Sequence, residues 1–247
     1  MTGVLYDTIG RGYAAHRRPD PRIAARIEAA LGDAASVLNV GAGTGSYEPA
    51  GRRVAAVEPS AVMAGQRAAG AAPVVRAWAE ALPFRNGSFD AAMGVLTLHH
   101  WRDWRRGVAE MRRVAPGRVV LLTWDPDSFG TWLTDEYFPE VLPADRAIVP
   151  TLPDLIGALD AADVLPVPIP ADCTDGFLAA YWRRPAAYLE PAVRAAISVF
   201  ARIPDPTPAL ARLAADLADG TWERRWGTHL PADELDVGYR LVVSRPT

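Results

Sequence analysis

The chemistry of this chain concentrates where small or ionisable residues follow apolar runs. Val37-Leu38-Asn39-Val40 leads into Gly41-Ala42-Gly43-Thr44-Gly45, with a glycine at every second position. An apolar run that ends in glycines reads as a buried parallel strand closed by a tight loop. Backbone without Cβ atoms lets a ligand approach closely. The dinucleotide fingerprint places its third glycine one position later, where this chain has Ser46. The loop therefore suits a nucleotide-like cofactor but not a pyrophosphate. Glu58 lies 17 residues after Gly41 and closes a second apolar run, Arg53 to Val57. A carboxylate at a strand end accepts two hydrogen bonds from a ribose diol. Nicotinamide enzymes use the same device, so Glu58 alone does not choose the cofactor. His99 and His100 follow a fourth apolar run, where an acceptor would lie. Either is a candidate general base, because imidazole titrates near neutrality. The competing role is structural, a cap on the following turn. His16 and His229 stand farther off in sequence, and no spaced set of His, Asp and Glu points to a metal.

These residues need a scaffold that brings strand ends together. Ile23, Ile27 and Leu31 repeat at helical spacing before Gly32, and predict a helix over 21–32. Strands are predicted at 36–40, 53–57, 73–77, 89–97 and 119–124, with helices over 60–70 and 104–114 between them. This alternation is the pattern of a doubly wound parallel sheet. Right-handed crossovers then place Gly43, Glu58, Glu80 and Leu96 along one edge. Beyond residue 125 the pattern changes. A connection with its own helix fills 126–163, a sixth strand runs from Val164 to Ile169, and helices are predicted over 186–200 and 208–217. Val237 to Val243 alternates as a last strand. The reading is one domain over 1–247: an N-terminal helical cover (1–32), a cofactor-binding core (33–125) and a helical insertion (174–230) that caps an acceptor. Two stretches of that insertion, Tyr181-Trp182-Arg183-Arg184-Pro185 and Trp222-Glu223-Arg224-Arg225-Trp226, are candidate pocket linings suited to a carboxylate or phosphate.

Composition narrows the function classes. Half of the residues are hydrophobic, enough for a large core. The net charge of −3, with arginines dispersed among acids, argues against a nucleic-acid partner. No apolar run approaches the ~18–20 residues that span a bilayer. The polar N-terminus lacks a signal-peptide core. The single cysteine, Cys173, excludes an internal disulfide framework. A cytoplasmic protein is the simplest expectation; the oligomeric state is left open.

Further segments complete a pattern. Ala79-Glu80-Ala81-Leu82-Pro83-Phe84, Asn86-Gly87-Ser88-Phe89-Asp90, Leu96-Thr97-Leu98-His99-His100-Trp101 and Glu110 to Gly117 follow the glycine loop and Glu58 in order. Over roughly a third of the chain this set resembles the class I S-adenosylmethionine-dependent methyltransferases, and most of all the small-molecule group that includes the ubiquinone and menaquinone biosynthesis enzymes. The resemblance implies an α/β fold: a Rossmann-like, seven-stranded, doubly wound sheet, mostly parallel, with an antiparallel last strand and a helical insertion before it. It implies S-adenosyl-L-methionine as cofactor and a small-molecule acceptor. Gly41, Gly43 and Gly45 would pass beside the methionine and ribose, Glu58 would hold the ribose, and Pro59 and Ser60 would start the adenine wall. Ala79 and Glu80 would meet the adenine edge, and Leu96 and Thr97 would lie near the sulfonium. Tyr13 and Arg17 would belong to a segment folded over the cofactor, with Arg17 available to its carboxylate. Two positions depart from the family: Asn39 stands where an acid is usual, and Trp78 where an Asp often reads the adenine amino group. Two alternatives remain beside methyl transfer: a family fold turned to other chemistry, such as cyclisation or elimination, and a non-catalytic cofactor-binding module.

Overall fold

In the computed structural model the described residues are 17–128 and 131–245. The chain order is α1 (Pro21–Leu31), β1 (Ser36–Val40), β2 (Arg53–Val57), α2 (Ala61–Gly65), β3 (Val74–Val75), β4 (Ala91–Val95), α3 (Trp104–Val114), β5 (Val119–Trp124), α4 (Val141–Arg146) and α5 (Leu152–Ala158). There follow β6 (Ala162–Pro166), β7 (Ile169–Pro170), α6 (Pro191–Ala195), α7 (Thr207–Ala218), α8 (Thr221–Trp226), β8 (Glu234–Leu235) and β9 (Tyr239–Ser244). Seven strands form one sheet in the order β3-β2-β1-β4-β5-β9-β6. The pairs among β1 to β5 are parallel, and β9 lies antiparallel between β5 and β6. This is the Rossmann-like sheet that the strand–helix alternation and the resemblance imply.

Every residue of β1 is buried, because helices cover both sheet faces. Side chains alternate between those faces. Val37, Met93, Val120 and Leu122 pack with Ile23, Ile27 and Leu31 of α1. Leu38, Val40, Ala92 and Leu121 pack with Val108, Met111 and Val114 of α3 and Leu155 of α5. The insertion shares the first of these cores. Trp132, from the connection over 126–163, meets Tyr137 of the same connection and Tyr188 and Trp222 of the insertion edge to face at centroid distances of 6.0, 5.6 and 5.5 Å.

Some predicted boundaries differ. The helix expected over 186–200 is three short pieces: a 3₁₀ turn at Pro185–Leu189, α6, and a second 3₁₀ turn at Ser198–Ala201. Pro191 stands at the start of α6, where its missing N–H and ring prevent a continuous helix. The sixth strand divides into β6 and β7, and β7 pairs with β8 in a separate ribbon. Among the described residues no helix is long and apolar enough to cross a membrane.

Candidate active site

The carboxyl ends of β1, β2 and β4 meet at one edge of the sheet. The glycine loop turns out of β1 as Gly41 and Ala42 donate their N–H groups to the Val57 carbonyl, at 2.9 and 3.0 Å. Gly41 has φ +69°, and a Cβ built there would strike the Thr97 hydroxyl. Gly43 has φ +52°, and its Cβ would meet the Met63 Cε at 3.3 Å. Glu58 is 6% exposed. Its two oxygens accept from the backbone N–H groups of Gly43 and Ser60, both at 2.8 Å. Leu96, just past β4, takes φ +50°, a strained conformation for a branched side chain and one that collects at functional sites. Thr97 Oγ1 accepts from the Trp101 indole at 3.1 Å.

These elements bound a cavity of about 440 Å³. Its floor is the loop from Gly41 to Thr44, with Glu58, Pro59, Trp78 and Ala79 at one end and His99 and His100 at the other. A second cavity of about 60 Å³ adjoins it, and Arg17, Leu96, His99 and Arg202 line both. His99 and His100 sit on a 3₁₀ turn with ring centroids 3.9 Å apart. Burial, followed by the charges of Arg202 and Arg17, lowers the His99 pKa to about 3. Burial, then His99 and the same arginines, holds His100 well below its ordinary value. Both rings are neutral at physiological pH. Arg17 donates Nε to Asp175 at 2.6 Å, and Asp175 also accepts from the Tyr47 hydroxyl at 2.9 Å. Arg202 donates to Asp145 at 2.6 Å and to the Ala144 carbonyl at 3.2 Å. Burial raises the Asp145 pKa, with Arg202 opposing. Cys173 is no nucleophile here, because burial pushes its thiol up to about 12.

A glycine loop, a pinned strand-end carboxylate and a cavity at the sheet edge invite comparison with known proteins. The sequence profile of the methyltransferase domain family matches residues 38–121. A protein of Anabaena variabilis ATCC 29413, described as a candidate methyltransferase of an antibiotic biosynthesis pathway, is 34% identical with a TM-score of 0.86; the match covers 93% of this chain and 99% of that one. This chain belongs to the S-adenosylmethionine-dependent methyltransferases. The demethylmenaquinone methyltransferase of Renibacterium salmoninarum is 35% identical over 118 residues, 44% of this chain and 50% of that protein. The chain spans about half the length of the curated relatives it matches. Geranyl diphosphate C-methyltransferase of Streptomyces coelicolor A3(2), solved with S-adenosyl-L-homocysteine, shares the fold at 15% identity and TM-score 0.53, over 92% of this chain and 77% of that one. The cofactor of the family is S-adenosylmethionine.

Within this family member, the cavity brings together Arg17, Gly41, Gly43, Glu58, Pro59, Ala79, Leu96, Thr97, His99 and His100. Gly45, Ser60 and Glu80 do not line it. Gly45 faces Arg67 and Glu48 on the far side of the loop. The Ser60 hydroxyl caps α2 by accepting from Met63 N–H at 3.1 Å. The Glu80 carboxylate accepts from the N–H groups of Arg102 and Asp103, at 2.7 and 3.1 Å. Tyr13 and His16 lie outside the described residues. Arg17 lines the cavity and is paired with Asp175. Trp78 stacks under Arg102, with the guanidinium 3.8 Å from the ring centroid. Asn39 donates to Glu48 at 3.3 Å, and Glu48 in turn accepts from Arg67 at 2.6 Å.

The arginine- and tryptophan-rich segments of the insertion reach neither cavity. Arg184 donates to the Cys173 carbonyl, Arg224 to the Asp219 carbonyl, and Arg225 pairs with Glu136. Sequence reading also missed Tyr47, Met63, Trp101, Arg102, Ile148 and Arg202, which do line the larger cavity. Tyr47 carries a local sign, its place two residues after Gly45. Ile148 and Arg202 carry none.

Proposed function

We propose that this chain binds S-adenosylmethionine along the sheet edge and transfers its methyl group to an oxygen, nitrogen or carbon atom of a small-molecule acceptor. The observation that carries the reading is the convergence of Gly41, Gly43, Glu58, Leu96 and Thr97 on one cavity of about 440 Å³, within the range that encloses a cofactor. The residues suit that group. Cβ atoms at Gly41 and Gly43 would crowd Thr97 and Met63, which line the cavity. Two backbone N–H groups pin the Glu58 carboxylate, and a pinned carboxylate matches the paired hydroxyls of a ribose. Pro59, Trp78 and Ala79 then flank the adenine.

Bound there, S-adenosylmethionine supplies a methyl group activated by its sulfonium. The chain aligns the partners and keeps water out. Leu96 and Thr97 wall the transfer position. The neutral His99 imidazole accepts a hydrogen bond from an acceptor O–H or N–H and turns its lone pair toward the methyl. With basicity this depressed, His99 orients the nucleophile, and loss of the proton draws on the acceptor's own acidity. Calorimetric titration tests the cofactor reading: S-adenosylmethionine is expected to bind with one site per chain, and no heat at millimolar cofactor would sink it. Incubation with candidate acceptors is then expected to yield S-adenosylhomocysteine and a product heavier by one methylene.

A further inference from the structure

The small cavity behind His99 has walls that specify what enters it. Trp124, Val149, Phe177, Leu178, Ile197 and Val199 make them largely apolar. Two of the polar groups among them are already spent, while the Arg202 Nε is buried without a partner among the described residues. The Tyr239 hydroxyl donates to the Leu178 carbonyl at 2.5 Å, and the Trp124 indole donates to the Val237 carbonyl at 2.9 Å. Each cation at the cavity has its own carboxylate, Arg17 with Asp175 and Arg202 with Asp145, both at 2.6 Å. Among the described residues the Ser198 hydroxyl and the His99 imidazole make no hydrogen bond. An anion entering here would lose its hydration, meet no unpaired cation and face Asp145. A cation would find no unpaired carboxylate. Either would carry a desolvation cost with no unpaired countercharge to offset it.

We infer that the acceptor is an uncharged, largely apolar molecule bearing a hydroxyl or carbonyl oxygen, whose apolar end enters this cavity while its reacting atom stays beside His99. At about 60 Å³ the cavity admits one end of such a molecule. This excludes the carboxylate or phosphate acceptor that the arginine-rich segments suggest from sequence. The inference rests on the larger cavity being the cofactor site.

The test uses three probes of similar size and different charge on the full chain. S-adenosylhomocysteine is titrated first, then acetophenone, benzoate and benzylamine are each titrated into the loaded protein. Acetophenone is expected to bind, with benzoate and benzylamine weaker by ~10-fold or more. Ile197→Phe, which fills the cavity, is expected to weaken acetophenone by ~10-fold while S-adenosylhomocysteine still binds. Equal or tighter binding of either charged probe overturns the inference. So does absence of acetophenone binding at millimolar concentration, or indifference to Ile197→Phe in a variant that binds S-adenosylhomocysteine. If Ile197→Phe does not fold, the charge series on the unaltered protein decides. Failure of S-adenosylhomocysteine to bind sinks the cofactor reading and this inference with it; cofactor binding without charge discrimination sinks the inference alone.

Discussion

Gly41 and Gly43 stand two residues apart and should fail in different ways. A Cβ at Gly41 meets the Thr97 hydroxyl and its Cβ, and the backbone there already sits at φ +69°. Thr97 is tied to Trp101, so the neighbour cannot yield without disturbing the turn that carries both histidines. Gly41→Ala is expected to lower the melting temperature and cofactor affinity together. At Gly43 the Cβ meets only Met63 Cε, the mobile end of a flexible side chain. Gly43→Val is expected to block S-adenosylmethionine while costing about 1–2 kcal/mol of stability through its positive φ. Normal binding by Gly43→Val would remove the loop from the cofactor site. Glu58→Gln keeps the shape but replaces an anionic acceptor with an amide that accepts at one end only. A lost charged hydrogen bond is worth about 1.5–3 kcal/mol, so titration should show affinity reduced by ~10- to 100-fold.

Secondary elements place these residues, and their legibility in the sequence follows from how local their causes are. β1 to β5 show themselves as apolar runs, and the glycine loop and Glu58 sit directly on strand ends, so half of the larger cavity is written along short stretches. The remainder includes Ile148 and Arg202, far along the chain, which only tertiary packing brings to the edge. Neighbours in sequence misled for the same reason: Arg183, Arg184, Arg224 and Arg225 cluster with tryptophans but turn to backbone carbonyls and Glu136. α1 depends on a contact of both kinds. Asp20 caps it by accepting from Arg22 N–H at 2.9 Å, and also accepts from Thr174 N–H at 3.1 Å, across 154 residues of sequence. Burial opposes its charge, but the bonds from Arg22 and Thr174 win and bring its pKa down to about 2. Its contribution is therefore present above the ordinary carboxylate range and is lost as pH falls toward 2. Asp20→Ala is expected to cost about 2–3 kcal/mol in denaturant unfolding at neutral pH. A loss below about 0.5 kcal/mol would mean that the cap and the tie to Thr174 are both dispensable.

At the scale of the whole molecule, the histidines at the junction of the two cavities make the fold answer to pH. The unfolded chain protonates both imidazoles near 6.5. The folded chain refuses those protons until far lower pH, because burial and the charges of Arg202 and Arg17 oppose them. Between about pH 6.5 and the folded values the unfolded state binds more protons, so stability is fully present above that range and falls as pH drops. Each histidine contributes a slope of up to about 1.4 kcal/mol per pH unit. Asp145 works in the opposite direction: its raised pKa lets the folded state take a proton first, which offsets part of the loss at the acid end. Asp20 enters only below the ordinary carboxylate range. In the window from about pH 6.5 to 5 the histidines lower stability as pH falls, with Asp145 opposing them. Thermal melts across it should show a falling melting temperature, and His99→Gln with His100→Gln should flatten the slope, because glutamine fills the same space and takes no proton. An unaltered chain whose melting temperature stays level from about pH 7.5 to 5 would show that the pair does take up protons when folded, and with that the neutral imidazole facing the acceptor would be lost.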